Sequence, residues 1–285
     1  MTRAEQLAER FVIGLLFATM LIRVALIAGD WSFGDVDAYW QAALRLRSGQ
    51  PLYLPGVDPD SYRVFRYAPW FAWLWVPLSY LPQMVVKWVW AGVLAAASVT
   101  ILVGLARLSR PGAWALALII TPWLLSLVQV GNIQPLVVAM LAFGLSRHSG
   151  PVWVGIAASL KVAPLGFALV YLARREWLRL LASVGVASVL LVPVVLYDLS
   201  GYSTDPGRSF SLYYYVSPTA WALAAAGSSA VALMLALRRS PYVWVAAALA
   251  VMLLPPRTHV TYATFLVVGL LGGLRDRIDG RSDRG

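Results

Sequence analysis

Thirteen carboxylates serve a chain of 285 residues, and none lies between Asp60 and Glu176. Acid–base and hard-metal chemistry is therefore confined to a few places. One is Gly34-Asp35-Val36-Asp37-Ala38-Tyr39-Trp40, where two acids and then two large aromatics follow a long apolar run. Asp35 and Asp37 could join a divalent cation, although no third hard ligand lies nearby in sequence. Equally, Asp35 could cap a following helix, worth about 1 kcal/mol, with Asp37 favouring the same N-terminus through the macrodipole.

The remaining candidates are basic, amide or aromatic. Lys161 sits near the middle of the apolar run GIAASLKVAP. A lysine there costs a few kcal/mol on insertion scales, and snorkelling from mid-span is awkward, so a functional role is expected. Arg63 and Arg66 flank an apolar run and suit phosphate or lipid headgroups. Arg257 and His259 share a later polar break. His259 could orient a substrate, shuttle a proton or serve as a local hydrogen-bond partner. Asn132 and Gln134 follow Gly131, and buried amides either bond sugar hydroxyls or join helices. Tyr213, Tyr214 and Tyr215 offer rings for stacking on a sugar or for anchoring at an interface.

These side chains must be positioned by membrane helices. The chain is 60% hydrophobic and 13% charged, with mean hydropathy +0.72. A soluble domain carries about twice that charge. The apolar runs lack the alternation of a barrel, which leaves an all-α polytopic bundle of about 8–10 spans. Candidate spans are 11–29, 68–82, 85–106, 113–128, 132–146, 151–173, 179–197, 217–237, 241–254 and 259–274. No repeat or linker divides the chain, so 1–285 reads as one membrane domain.

An even count puts both termini on one side, cytoplasmic under the positive-inside rule. The loops 30–66 and 198–216 then lie outside, and 275–285 is a disordered cytoplasmic tail. Arg107, Arg110, Arg147 and His148 fall outside in this scheme, and the Gly131-Asn132 turn falls inside, away from Asp35. In the first outer loop, Val36, Tyr39, Trp40, Ala43 and Leu44 follow the spacing of an amphipathic helix. Ser48-Gly49 ends it, and Tyr39 with Trp40 would anchor it at the bilayer surface.

Several function classes are excluded or disfavoured. There is no cysteine, hence no thiolate chemistry. The net charge of +10 comes from 21 Arg and two Lys dispersed between spans, which speaks against nucleic-acid binding. No glycine-rich nucleotide loop is present. The spans hold almost no acids, which disfavours proton-coupled transport.

Four segments resemble, in order, the motifs of glycosyltransferase family 87. They are GDVDAYWQAALRLRSGQPLY, FRYAPWFAWLWVPLSYLP, VGNIQPLVVAML and VGIAASLKVAPLGFALVYLARREW. The chain departs from the family pattern at Ala68-Pro69-Trp70, in the exchanged order of Asn132 and Gln134, and at Val162. The resemblance implies an integral membrane enzyme of the GT-C class. It would take a sugar, mannose or alternatively arabinofuranose, from a polyprenyl-phosphate donor to a glycolipid or glycan acceptor, with inversion. It implies Asp35 as general base, with Asp37 and His259 as further catalytic or orienting candidates. Lys161, Arg63, Arg66 and Arg257 would hold the donor phosphate. Tyr39, Asn132, Gln134 and Tyr214 would contact sugar or acceptor. It implies no cofactor, a divalent metal remaining open, and an active site on the outer face of the plasma membrane. A lipid-linked-sugar flippase and an inactive scaffold of cell-envelope assembly are the alternatives. The enzymatic reading requires Asp35 and Lys161 to meet in one cavity.

Overall fold

The computed structural model describes residues 3–278 other than 57, 59, 60, 62, 63, 109, 203–211 and 258. The described residues are helical with no strand. Five helices contain windows long and apolar enough to cross a membrane: Arg10–Ile27, Gln83–Ala106, Pro111–Val130, Trp177–Leu196 and Pro218–Leu237. Shorter apolar helices fill the space between them. The chain is a polytopic membrane helix bundle.

Two of the expected spans do not cross. The first is 68–82. Helix α1 (Arg3–Ile27) leads to α2 (Gly34–Arg47), then to α3 (Pro69–Trp75) and a 3-10 turn at Leu78–Tyr80. Seven residues make about 10 Å of helix, a third of a hydrocarbon core. The segment folds back on α2 instead. Arg47 Nη1 donates to the Ser79 carbonyl at 3.0 Å, and its guanidinium lies 3.7 Å from the centre of the Tyr80 ring. Helix α4 (Gln83–Ala106) then starts beside α2, where Lys87 pairs with Asp37 at 2.8 Å.

The second is 151–173. Helices α5 (Pro111–Val130) and α6 (Gln134–Gly144) are followed by α7 (Gly150–Leu160), which stops at Lys161. Lys161 is extended (φ −145°, ψ 111°), and the chain reverses through a 3-10 segment (Ala163–Ala168) into α8 (Leu169–Ala173). Both feet of this hairpin stand together: Tyr171 Oη donates to the Leu145 carbonyl at 2.7 Å, and a Cβ on Gly150 would strike that same hydroxyl. The tip carries Lys161 up to Gln134, at the start of α6.

Among the described residues, eight helices of 11 residues or more accompany α2 and these two returning segments. They are α1, α4, α5, α6, α9 (Trp177–Leu191) with its 3-10 extension to Leu196, α11 (Pro218–Leu237), α12 (Val243–Leu253) and α13 (Leu266–Ile278) with the 3-10 turn before it. Short α10 (Leu212–Tyr215) precedes α11. The new path removes the misfits of the sequence topology. Arg107, Arg110, Arg147 and His148 join Arg174, Arg175, Arg179, Arg238 and Arg239 at one end. The Gly131 turn moves to the other end, beside α2. Helix α13 continues through 275–278 of the expected tail, and 279–285 lie outside the described residues, as does much of the 198–216 loop.

Small residues let the helices close up, since lipid supplies no hydrophobic drive between them. At Gly272 a Cβ would overlap the Trp244 ring, which is itself 2% exposed. Helix α2 is amphipathic as expected, with Asp35 and Asp37 in its first turn and Arg45 and Arg47 in its last, complementing its dipole. It ends at Ser48, with Gly49 left-handed at φ 67°. Its apolar face is not turned to lipid, however. Tyr39 is fully buried, with its ring centre 5.0 to 6.4 Å from those of Phe71, Trp75, Tyr67 and Trp90. Trp40 is partly buried as well. Tyr39 therefore seats α2 on the bundle and is not a bilayer anchor.

Candidate active site

The N-cap of α2 is Phe33, in the left-handed region at φ 50°, and no side chain caps the helix. Phe33 is held there by donating its N–H to the Gln129 carbonyl at 3.0 Å, while Gln129 Nε2 donates to the Ile27 carbonyl. The ends of α1 and α5 thus fix the start of α2. Asp35 lies one position past the helix start and does not cap it, contrary to the sequence expectation.

Freed from capping, Asp35 turns to the α5–α6 turn. Asn132 Nδ2 donates to Asp35 Oδ2 at 2.5 Å. The close approach depends on Gly131, whose φ is +78° and whose Cβ position would overlap Val36. The other end of the Asn132 amide accepts from the Gln134 backbone N–H at 2.9 Å and from Lys161 Nζ at 3.4 Å. Lys161 Nζ donates more closely, at 2.6 Å, to Gln134 Oε1 and lies 5.0 Å from the Tyr262 ring centre. Fully buried Gln134 donates in turn to Thr264 Oγ1 at 3.3 Å.

Asp35 and Lys161 therefore meet through one amide. Arg66 and Arg257 also act on the Asp35 charge. Burial pushes the Asp35 carboxyl above the usual carboxylate range, opposed by the Asn132 hydrogen bond and then by Lys161, Arg66 and Arg257. One carboxylate and three cations make a site suited to an anion beside a basic oxygen.

The other sequence candidates separate. Asp37 accepts from Gln83 Nε2 at 2.7 Å and pairs with Lys87, so it points to α4 and not to Asp35. The two carboxylates do not converge on a cation. Among the described residues, no cluster of His, Asp or Glu side chains could hold a metal ion. His259 is exposed at the rim, close enough to Arg257 and Lys161 to feel their charge. Tyr39 reaches the site only by its hydroxyl, 3.1 Å from that of Tyr67. Tyr214 is 50% exposed and packs edge-on against Tyr215. Arg63 lies outside the described residues.

Sequence reasoning missed Tyr67, Tyr262 and Thr264. Thr264 falls inside an apolar run, and nothing in the pattern marks it as facing Gln134. Tyr67 adjoins Arg66, which is the signal that could have found it. The sequence topology also set Asn132 and Gln134 at the end opposite Asp35. The fold places Asn132 between Asp35 and Lys161, with Gln134 holding Lys161, because 68–82 does not cross.

No curated protein and no solved structure matches the chain. The family model for glycosyltransferase family 87 matches residues 65–216, which contain Arg66, Asn132, Gln134 and Lys161. That match spans more than half of the sequence, and the chain belongs to glycosyltransferase family 87.

Proposed function

We propose that this membrane glycosyltransferase is a GT-C enzyme taking its sugar from a polyprenyl-phosphate donor, with mannose the expected sugar and arabinofuranose the alternative. The acceptor is a hydroxyl of a glycolipid or glycan. Asp35 removes the hydroxyl proton as the oxygen attacks the anomeric carbon from the face opposite the phosphate. The bond from that carbon to the phosphate oxygen breaks, and polyprenyl phosphate leaves with the electron pair. Lys161, Arg66 and Arg257 stabilise the charge it gains, so no acid need protonate it. A carboxyl raised by burial is a stronger base than an exposed one, provided it is ionised at working pH.

The observation that carries this reading is the single amide joining Asp35 to Lys161, residues from distant parts of the chain. The reading puts the Arg-rich end in the cytoplasm with both termini, under the positive-inside rule, and the site at the outer face of the plasma membrane. Incubating the purified protein with labelled polyprenyl-phosphate mannose and a lipid extract tests it. A labelled glycolipid product that disappears in Asp35→Asn is expected. Undiminished transfer by a folded Asp35→Asn protein removes Asp35 from the mechanism.

A further inference from the structure

The hydrogen bonds of the site have a direction as well as a position. Buried Thr264 spends its hydroxyl proton on the Thr261 carbonyl at 2.7 Å. Its oxygen can then only accept, and what donates to it is the Gln134 side-chain NH2. That fixes which way the Gln134 amide faces and leaves Oε1 for Lys161. Asn132 is oriented by the same logic. Its Oδ1 already accepts from the Gln134 N–H and from Lys161, so its NH2 must face Asp35. An amide that could otherwise flip has one permitted orientation.

We infer that Asn132 is a positioning residue for Asp35: it holds Oδ2 with a directed N–H, leaves Oδ1 for the acceptor hydroxyl, and ties the carboxylate to the ammonium that faces the donor. Gln134 and Thr264 enforce that orientation from the opposite side of the site. The inference rests on the proposed role of Asp35 as base. A donor phosphate drawing on Lys161 competes with the longer of its two amide bonds, the one at 3.4 Å to Asn132. The Gln134 N–H keeps Asn132 in place while that happens. Donor binding can thus proceed without releasing the base.

The charged and titratable groups around Asp35 are known on each side. Lys161 faces it from the hairpin tip, Arg66 from the segment before α3 and Arg257 from the connection after α12. Tyr39 and Tyr67 also feel its charge. On the α4 side, Asp37 and Lys87 are engaged with each other. Asn132→Leu keeps all of these charges; it removes the N–H to Asp35 and also the Oδ1 that accepts from the Gln134 N–H and Lys161, while Lys161 keeps its shorter bond to Gln134.

The test uses the full-length protein in lipid nanodiscs, labelled with 13C-carboxyl aspartate, and pH-difference infrared spectra. The Asp35 band is the one lost in Asp35→Asn. In Asn132→Leu it should titrate about one pH unit higher, because a hydrogen bond to the charged form is gone. The acid limb of kcat should move with it, and kcat should fall more than the donor KM rises. Thr264→Val, of nearly equal volume, should shift the band the same way by less, and it decides the matter if Asn132→Leu does not fold. An Asp35 band that titrates at the wild-type pH in the folded variants overturns the inference. Because the band is read without turnover, that result is separate from retained transfer in Asp35→Asn, which overturns the base reading instead.

Discussion

Asp35 and Asp37 leave the same turn of α2 and enter different environments. Asp37 turns toward α4, where Lys87 and Gln83 satisfy it and its side chain is 24% exposed. Asp35 turns toward the α5–α6 turn, where its direct partner is a neutral amide and the three cations act from beyond it. The ion pair ties Asp37 to α4, whereas the amide orients Asp35 toward the site. Two identical side chains two residues apart thus become a brace and a candidate base.

The largest way to break that comparison is Asp35→Asn. Transfer should fall by roughly 10²–10⁴-fold, the usual contribution of a general base, while the thermal midpoint stays near wild type. Removing the cation behind Asn132 comes next. Lys161→Met gives up charged hydrogen bonds worth about 1.5–3 kcal/mol, so the donor KM should rise roughly ten- to a hundredfold in steady-state assays. Acidification should test Asp35 without mutation. The Asp35 carboxyl is raised by burial, so the active, ionised form is lost as pH falls through a value above the ordinary carboxylate range. The kcat–pH profile should therefore show an acid limb higher than an exposed aspartate would give; a limb in the ordinary range would count against Asp35. The smallest effect belongs to Asp37→Asn. Loss of a mostly shielded ion pair should cost about 1 kcal/mol of stability in thermal unfolding, with transfer changed by less than about twofold. If transfer instead collapses while stability holds, the division of labour between the two is reversed.

Much of the site could be read in the sequence as types, and little of it as geometry. Lys161 announced itself because a cation in an apolar run is costly and needs a reason. Asp35 stood out because acids are scarce. Helix α2 was legible from its apolar spacing, but that spacing could not say whether the apolar face meets lipid or protein. Tyr39 shows why: a buried aromatic and an interfacial aromatic leave the same mark on the pattern. The folding back of 68–82 and 151–173 was hidden for a related reason. Apolar content reports what a segment can be buried in, and a segment folded against other helices is as apolar as one that crosses. The reversal at Lys161 had a local cue in Val162-Ala163-Pro164, where proline interrupts the backbone ladder.

By itself, the sequence determined a helical membrane protein, because only helices and closed barrels satisfy backbone hydrogen bonds in lipid and its apolar runs do not alternate as a barrel's would. It also set the inventory of charges, since residue type alone decides what can ionise. Tertiary structure decided which of those charges meet. Asp35 faces Asn132 because Phe33 and Gly131 adopt left-handed conformations that bring α2 onto the α5–α6 turn. Lys161 reaches the same amide because its hairpin turns back at that level. Those are contacts between residues far apart in the chain, and no local propensity encodes them.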